Sequence, residues 1–365
     1  MFFTRRNNPL LQCAERPRPH LRGARALGAA LLVASIGLTA CSSGEEGGDA
    51  EEREAQESLR RTAVVTSAFE ASAPARGLAF LPTAESPWSG LVATALQDGG
   101  FDIFSVEGEP LISAAGPQLT SVIGASDFAL RGEIFPLLFG VDGAGSLRSF
   151  AVIRQAGDVV ELPLEGEALI RDAAAVCLYE TGIGYVDIAI LGRGPEATIV
   201  RVSDRGGDGL TVTEEGRFPL PFAARSCAAV DDDLLIAAPA SGLARVTTNG
   251  ETRAFAAGLT ISDIGYTELL GRPVVLAASS NTGRLEVFDA RSLELVADIG
   301  TEAGLNAPAF DSPVALAVTG ESYGGMAFSS GLVAIYDRAD SRVKIVAREV
   351  VGREVVAASV ATAES

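Results

Sequence analysis

Five charged residues stand at the threshold of short apolar runs: Arg76, Asp172, Arg225, Asp263 and Asp311. Two guanidiniums and three carboxylates gathered at one point would make a mixed-charge ligand site, since an Arg fork takes phosphate or carboxylate through paired N–H donors. Asp172 and Asp263 would also suit glycoside hydrolysis, if the fold faced them at a defined separation. The plainer alternative is a solvated, salt-bridged rim, which is the common role of surface charge. Asp231-Asp232-Asp233 poses the same choice, as calcium oxygens or as a turn, and its place between two apolar runs favours the turn. Other chemistries are closed off. His20 is the only histidine and Lys344 the only lysine. With the leader removed no histidine remains, which excludes Ser-His-Asp, Cys-His and histidine-ligated zinc chemistry from the mature chain.

The elements that must position these residues repeat along the chain. An apolar residue, two spacers and a larger apolar residue recur, ending at Phe104, Phe150, Val202, Val246, Phe288 and Tyr336, at intervals of 46, 52, 44, 42 and 48 residues. Ahead of each lies another run of strand length: LVATAL, FPLLFGV, VDIAIL, DLLIAA, PVVLAAS and GMAFSS. Outer candidates follow, such as DVVELPL, ETRAFAA, LELVADI and RVKIVAR, separated by Gly-containing turns such as Asn249-Gly250. Six units of four short strands at this period predict an all-β fold, a six-bladed β-propeller over residues 62–365. A parallel β-helix has a much shorter repeat. Ring closure removes exposed strand edges. The spare runs Ala63–Phe69 and Val355–Thr362 are available for it, one or both completing a terminal blade.

The N-terminal 40 residues read as a bacterial lipoprotein signal. Six Arg and one Glu lie there, with an apolar run from Leu27 to Leu38 that is too short to span a bilayer. Leu38-Thr39-Ala40-Cys41 resembles a lipobox, so Cys41 is the expected lipidation site and membrane anchor. Residues 41–61 are rich in Gly, Ser and Glu and lack aromatics, which predicts a flexible acidic tether. The expected address is the outer membrane, on its periplasmic side. The formal charge is -18, and without the leader 23 basic residues face 46 acidic ones. A field of that sign argues against nucleic acid as a partner.

Cys177-Leu178-Tyr179, the following strand Gly184-Tyr185-Val186-Asp187-Ile188-Ala189-Ile190, and Arg225-Ser226-Cys227-Ala228-Ala229-Val230-Asp231-Asp232-Asp233 resemble the middle blades of β-propeller phytases. Asp98-Gly99-Gly100-Phe101-Asp102-Ile103-Phe104 is similar to the family's first-blade element, and Arg272–Ser279 and Gly331–Asp337 also look family-like. The resemblance spans roughly residues 75–350. It implies a propeller scaffold, and in the family clustered carboxylates hold calcium ions that in turn hold phytate phosphates. The chain departs from that pattern at the chemistry. Arg225-Ser226-Cys227 replaces Glu-Gly-Cys, and Ala238-Pro239 replaces paired Glu. Ala125 stands where the family has Arg, and no lysine lies near Gln97-Asp98. In the last blade Ser312-Pro313-Val314-Ala315-Leu316 replaces Asp-x-Glu-Gly-Leu, with Asp311 one place early. Calcium needs six to eight oxygens. The pattern supplies few, so no metal and no cofactor is expected, calcium being the alternative. The function implied is a phytase-like envelope lipoprotein acting as a non-catalytic or weakly active binding module. Its partner would be an envelope protein or a small anionic ligand. The alternative is a calcium-dependent 3-phytase-type phosphomonoester hydrolase.

After processing, Cys177 and Cys227 are the thiols left in the chain besides Cys41, and the compartment beyond the inner membrane permits a disulfide. Both fall on the innermost strand of their unit, in blades three and four. They form either a bridge or two separately buried thiols.

Overall fold

The computed structural model describes residues 57–364 apart from 84, 85, 167–170 and 257. The leader, Cys41 and the tether up to residue 56 lie outside the described residues. No helix among the described residues is long and apolar enough to cross a membrane.

The chain opens with β1 (Arg60–Val64) and β2 (Ser67–Glu70), then runs through six antiparallel meanders. Blade one is β3 (Ala75–Leu81), β4 (Leu91–Leu96), β5 (Phe101–Ser105) and β6 (Pro110–Ala114). Blade two is β7 (Leu119–Leu130), β8 (Glu133–Asp142), β9 (Leu147–Ile153) and β10 (Asp158–Leu162). A two-residue strand, β11 (Leu164–Glu165), lies on the outer edge of blade three, which is β12 (Ala173–Gly182), β13 (Tyr185–Gly192), β14 (Glu196–Ser203) and β15 (Leu210–Pro219). Blade four is β16 (Ser226–Val230), β17 (Asp233–Ala238), β18 (Gly242–Val246) and β19 (Thr252–Phe255). Blade five is β20 (Ile261–Leu269), β21 (Arg272–Ser279), β22 (Arg284–Asp289) and β23 (Leu295–Glu302). Blade six contributes β24 (Pro313–Thr319), β25 (Leu332–Asp337) and β26 (Arg342–Ala347). The innermost strands β3, β7, β12, β16, β20 and β24 touch in sequence, and β24 touches β3 again. The fold is a closed six-bladed β-propeller.

Burial explains why the second strands read as unbroken apolar runs. Every residue of β4 (LVATAL) and of β25 (LVAIYD) is buried, because neighbouring blades cover both faces. Outer strands lack that cover, and Thr252, Arg253 and Ala254 of β19 are exposed. Small residues let inner strands approach closely. A Cβ on Gly77 would meet Val122 Cγ1 at 2.8 Å, and one on Gly265 would meet Val318 Cγ2 at 2.5 Å.

Closure differs in part from the sequence expectation. The run Ala63–Phe69 splits between two blades. β1 adds to blade five as an outer strand parallel to β23, and β2 becomes the outermost strand of blade six by pairing with β26. The first strand therefore starts at Arg60, inside the segment read as tether. Val355–Thr362 is not a strand. It belongs to a helix, Arg348–Glu364, that buries Val351, Val355 and Ala358 at i, i+4 and i+7. GMAFSS is not a strand either, since Gly325–Phe328 form one helical turn after Gly324 and Gly325 take φ of 69° and 63°. LVAIYD is thus the second strand of blade six and RVKIVA the third, which leaves the outer place to β2.

Candidate functional site

All six innermost strands begin at one end of the central channel. Their first turns present one residue per blade to the mouth: Arg76, Thr120, Ala174, Arg225, Ser262 and Val314. In five blades this residue is the extra one in a register shift: Arg76, Thr120, Ala174, Ser262 and Val314. A bulge turns the side chain of the extra residue away from the ladder, toward the opening. In blade four Arg225 lies just before β16, with its N–H bonded to Ala237 O at 2.8 Å. Blades one and four stand opposite each other in a ring of six, so the two guanidiniums face the mouth from across the channel. Among the described residues neither has a hydrogen-bond or ion-pair partner. Below them a cavity of about 460 Å³ follows the inner strands, lined in part by Ser121, Asp263 and Leu316.

Two carboxylates that line the mouth and the channel, Asp142 and Asp263, are already engaged. Asp142 Oδ1 accepts from the N–H of Ala144 and of Ser146, each at 2.9 Å, and Oδ2 accepts from Arg148 Nε at 2.9 Å. Burial pushes its carboxyl up, but the Ser146 N–H and the Arg148 guanidinium outweigh that and hold it below the usual range. Asp263 Oδ2 accepts from Leu316 N at 2.8 Å, and Oδ1 accepts from Ile264 N at 2.9 Å and from the Ser226 hydroxyl. The residue is only partly buried by exposure, yet its carboxylate sits among dense protein in the channel wall. That burial lifts its pKa to about 6, against the donors of Ser226, Leu316 and Ile264.

Of the five residues read from the sequence, Arg76 and Arg225 come together at the mouth, and Asp263 lines the cavity beneath them. Asp172 stands on the rim with its side chain 73% exposed, 3.4 Å from Arg193 Nε. Asp311 is exposed in the connection before β24, and its N–H is bonded to Asp337 Oδ2 at 2.9 Å. Neither belongs to the pair of facing arginines. Thr120, Ser262 and Arg193 were not singled out in the sequence. The signal that locates the first two is the second position of each inner strand, whatever residue fills it. Asp231 takes φ 51° in the turn before β17, as the turn reading expects. Among the described residues no three Cys, Asp or Glu side chains are grouped closely enough to hold a metal ion.

Around the channel, inner strands are pinned to their neighbours. Ser121 Oγ accepts from Val176 N at 3.2 Å between blades two and three. Cys177 and Cys227 are joined between blades three and four, with Cα atoms 5.7 Å apart. Ser226 and Asp263 link blades four and five, and Asp263 and Leu316 link five and six. Edge-to-face rings close the remaining joints: Phe80 with Tyr323 at 5.5 Å between blades one and six, and Phe101 with Phe150 at 4.9 Å between blades one and two. Each joint between neighbouring blades is thus pinned by a bond, a bridge or a ring pair.

No family model matches the chain, and no curated protein matches it. Solved structures similar to it include BBS1N in complex with ARL6DN, at 13% identity over 70% of this chain and 74% of that one, with a TM-score of 0.43. Another is Sqt1 of Saccharomyces cerevisiae, at 9% identity over 78% of this chain and 99% of that one, with a TM-score of 0.47.

Proposed function

We propose that this propeller is a binding module of the bacterial envelope, held to a membrane by lipid at Cys41, that takes an anionic group at the channel mouth between Arg76 and Arg225. The observation that carries the reading is the pair of facing guanidiniums without partners among the described residues, in a chain of formal charge -18. Such a chain has acids in excess, so two cations without one at the same opening form a local field of opposite sign. A guanidinium binds carboxylate or phosphate through a planar fork, and two of them from opposite walls suit an anion seated on the axis. The scaffold would be phytase-like, in keeping with the Cys177 and Cys227 segments, while the ligand is held and not hydrolysed. What supports that half is the occupancy of Asp142 and Asp263 by their own donors, which leaves few oxygens for calcium at the mouth.

Calorimetric titration of the purified chain with inorganic phosphate and with phytate, with and without calcium, tests the reading. Binding that weakens with salt and is lost in Arg76→Gln/Arg225→Gln is the expected result. Phosphate release from phytate that requires calcium would establish the hydrolase instead. Anion binding untouched by the double substitution would remove the site from the mouth. For the anchor, Cys41→Ala should release the protein from the membrane fraction, and a variant that stays there rules out anchorage by lipid.

A further inference from the structure

The end of the channel away from the mouth carries the six connections between first and second strands, and these differ in character from the charged rim. Five exposed large apolar side chains stand on them or at the strand end beside them, in five different blades: Trp88, Ile183, Leu270 and Met326 on the connections, and Ile134 at the start of β8, which are 72, 99, 61, 98 and 60% exposed. Blade four ends instead in Asp231-Asp232. The C-terminal helix lies against the same face, its Gly352 so near Leu270 that a Cβ there would come 3.2 Å from Leu270 Cγ. It adds exposed Val356 and Val360 one turn apart.

Local folding does not call for these residues. Leu270 sits at φ 50° and Gly271 at 82°, a hairpin turn that favours Asn, Asp or Gly and strains a Leu. Ile183 precedes Gly184, at φ 77°, and is almost wholly in solvent. Isolated apolar side chains on a surface need no explanation, but a set ringing one face does.

We infer that this face docks onto a lipid bilayer, with the hairpin tips entering the boundary between headgroups and acyl chains. Separate protruding tips, one of them a tryptophan, suit the interface of a bilayer, where an amphipathic ring sits at headgroup depth. The start of the described chain lies at this face as well, since the Arg61 guanidinium donates to Ala357 O of the C-terminal helix at 2.9 Å. Cys41 precedes Arg60 by 19 positions. A lipid at Cys41 would thus hold this face close to the membrane, an argument that rests on the anchor proposed above. Asp231, Asp232, Glu133 and Glu321 on the same face match a zwitterionic surface better than an anionic one.

Trp88 is the single tryptophan of the chain, so its fluorescence reports this face alone. The full chain is mixed with vesicles of phosphatidylcholine and phosphatidylethanolamine brominated on their acyl chains. Docking predicts a blue shift and strong quenching of Trp88. Ile183→Asn/Leu270→Asn/Met326→Ser should weaken the quenching at a given lipid concentration by roughly tenfold or more. Leu305→Asn, an equally exposed apolar residue in the connection at the mouth end, should change nothing. Flotation with vesicles while Trp88 stays unquenched would overturn docking and leave the anchor intact. Quenching that persists in Cys41→Ala would support docking though anchorage had failed. A concentration-dependent dimer without lipid, lost in the triple variant while vesicles leave Trp88 unquenched, would assign the face to a second copy and overturn the inference.

Discussion

The carboxylate of Asp263 on the innermost strand of blade five accepts the backbone N–H of Leu316 on the innermost strand of blade six at 2.8 Å, while its other oxygen takes the Ser226 hydroxyl of blade four. One side chain thus spans three blades. Every partner is a donor, and an amide in its place would turn an NH₂ toward one of them. Asp263→Asn should destabilise the propeller by about 1–3 kcal/mol although it removes a partly buried charge. Thermal unfolding at pH 8 checks this, and an unchanged or raised melting temperature would contradict it.

Glu286 on β22 is the counter-example. It is 6% exposed, and its Oε2 has no hydrogen-bond partner among the described residues. Burial, then the charge of Asp298 beside it, lifts its carboxyl to about 7, with Arg284 opposing. The folded state therefore holds a proton that the unfolded state has lost, so stability falls as pH rises from about 4.5 to 7. Glu286→Gln should stabilise by about 1–3 kcal/mol at pH 8 and by little at pH 4.5. Calorimetry at the two pH values reads the difference.

Lys344 and Asp337 are each 1% exposed and lie 2.6 Å apart, with Lys344 Nζ also donating to Ala309 O at 2.7 Å. Burial pushes the Asp337 carboxyl up, but Lys344 and the N–H groups of Ala339, Asp311 and Ser312 hold it below the usual range. Its contribution is present above the ordinary Asp value and disappears as pH falls through the folded one. Lys344→Met leaves the acid buried without its cation and should cost about 3–5 kcal/mol. β26 and its partner β2 close the ring, so protease sensitivity should rise first at the β2–β26 seam, which peptide mapping detects.

The Cys177–Cys227 bridge encloses a separation of 50 residues. The chain-entropy estimate for that loop is about 4 kcal/mol. Reduction, or Cys177→Ala/Cys227→Ala, should lower the melting temperature by several degrees. Mass spectrometry of alkylated, unreduced protein should find neither of these two thiols modified.

Much of this architecture is legible in the sequence, because stacked blades turn second strands such as Leu91–Leu96 into continuous apolar runs. The closing run Ala63–Phe69 is legible as a spare strand, but its split between blades five and six is not. Ser67–Glu70 has a single buried residue, Phe69, and its partner Arg342–Ala347 lies near the other end of the chain. The terminal helix is hard to read because Val355–Thr362 mixes Val, which favours strands, with Ala, which favours helix. At the mouth, residue type misled where position would not. Asp172 and Asp311 are charged and near the inner strands, but the bulge position in their blades belongs to Ala174 and Val314.

The burial of Lys344 reaches beyond stability. Every exposed cation among the described residues is a guanidinium, so amine-reactive labels, lysine acylation and coupling to activated esters find no side chain to modify on the folded propeller. The same holds for a lysine-directed endoprotease, whose one target bond in the chain is Lys344–Ile345, in the seam that closes the ring. Scission there is a binary report of whether the ring is open, read from two fragments on a gel.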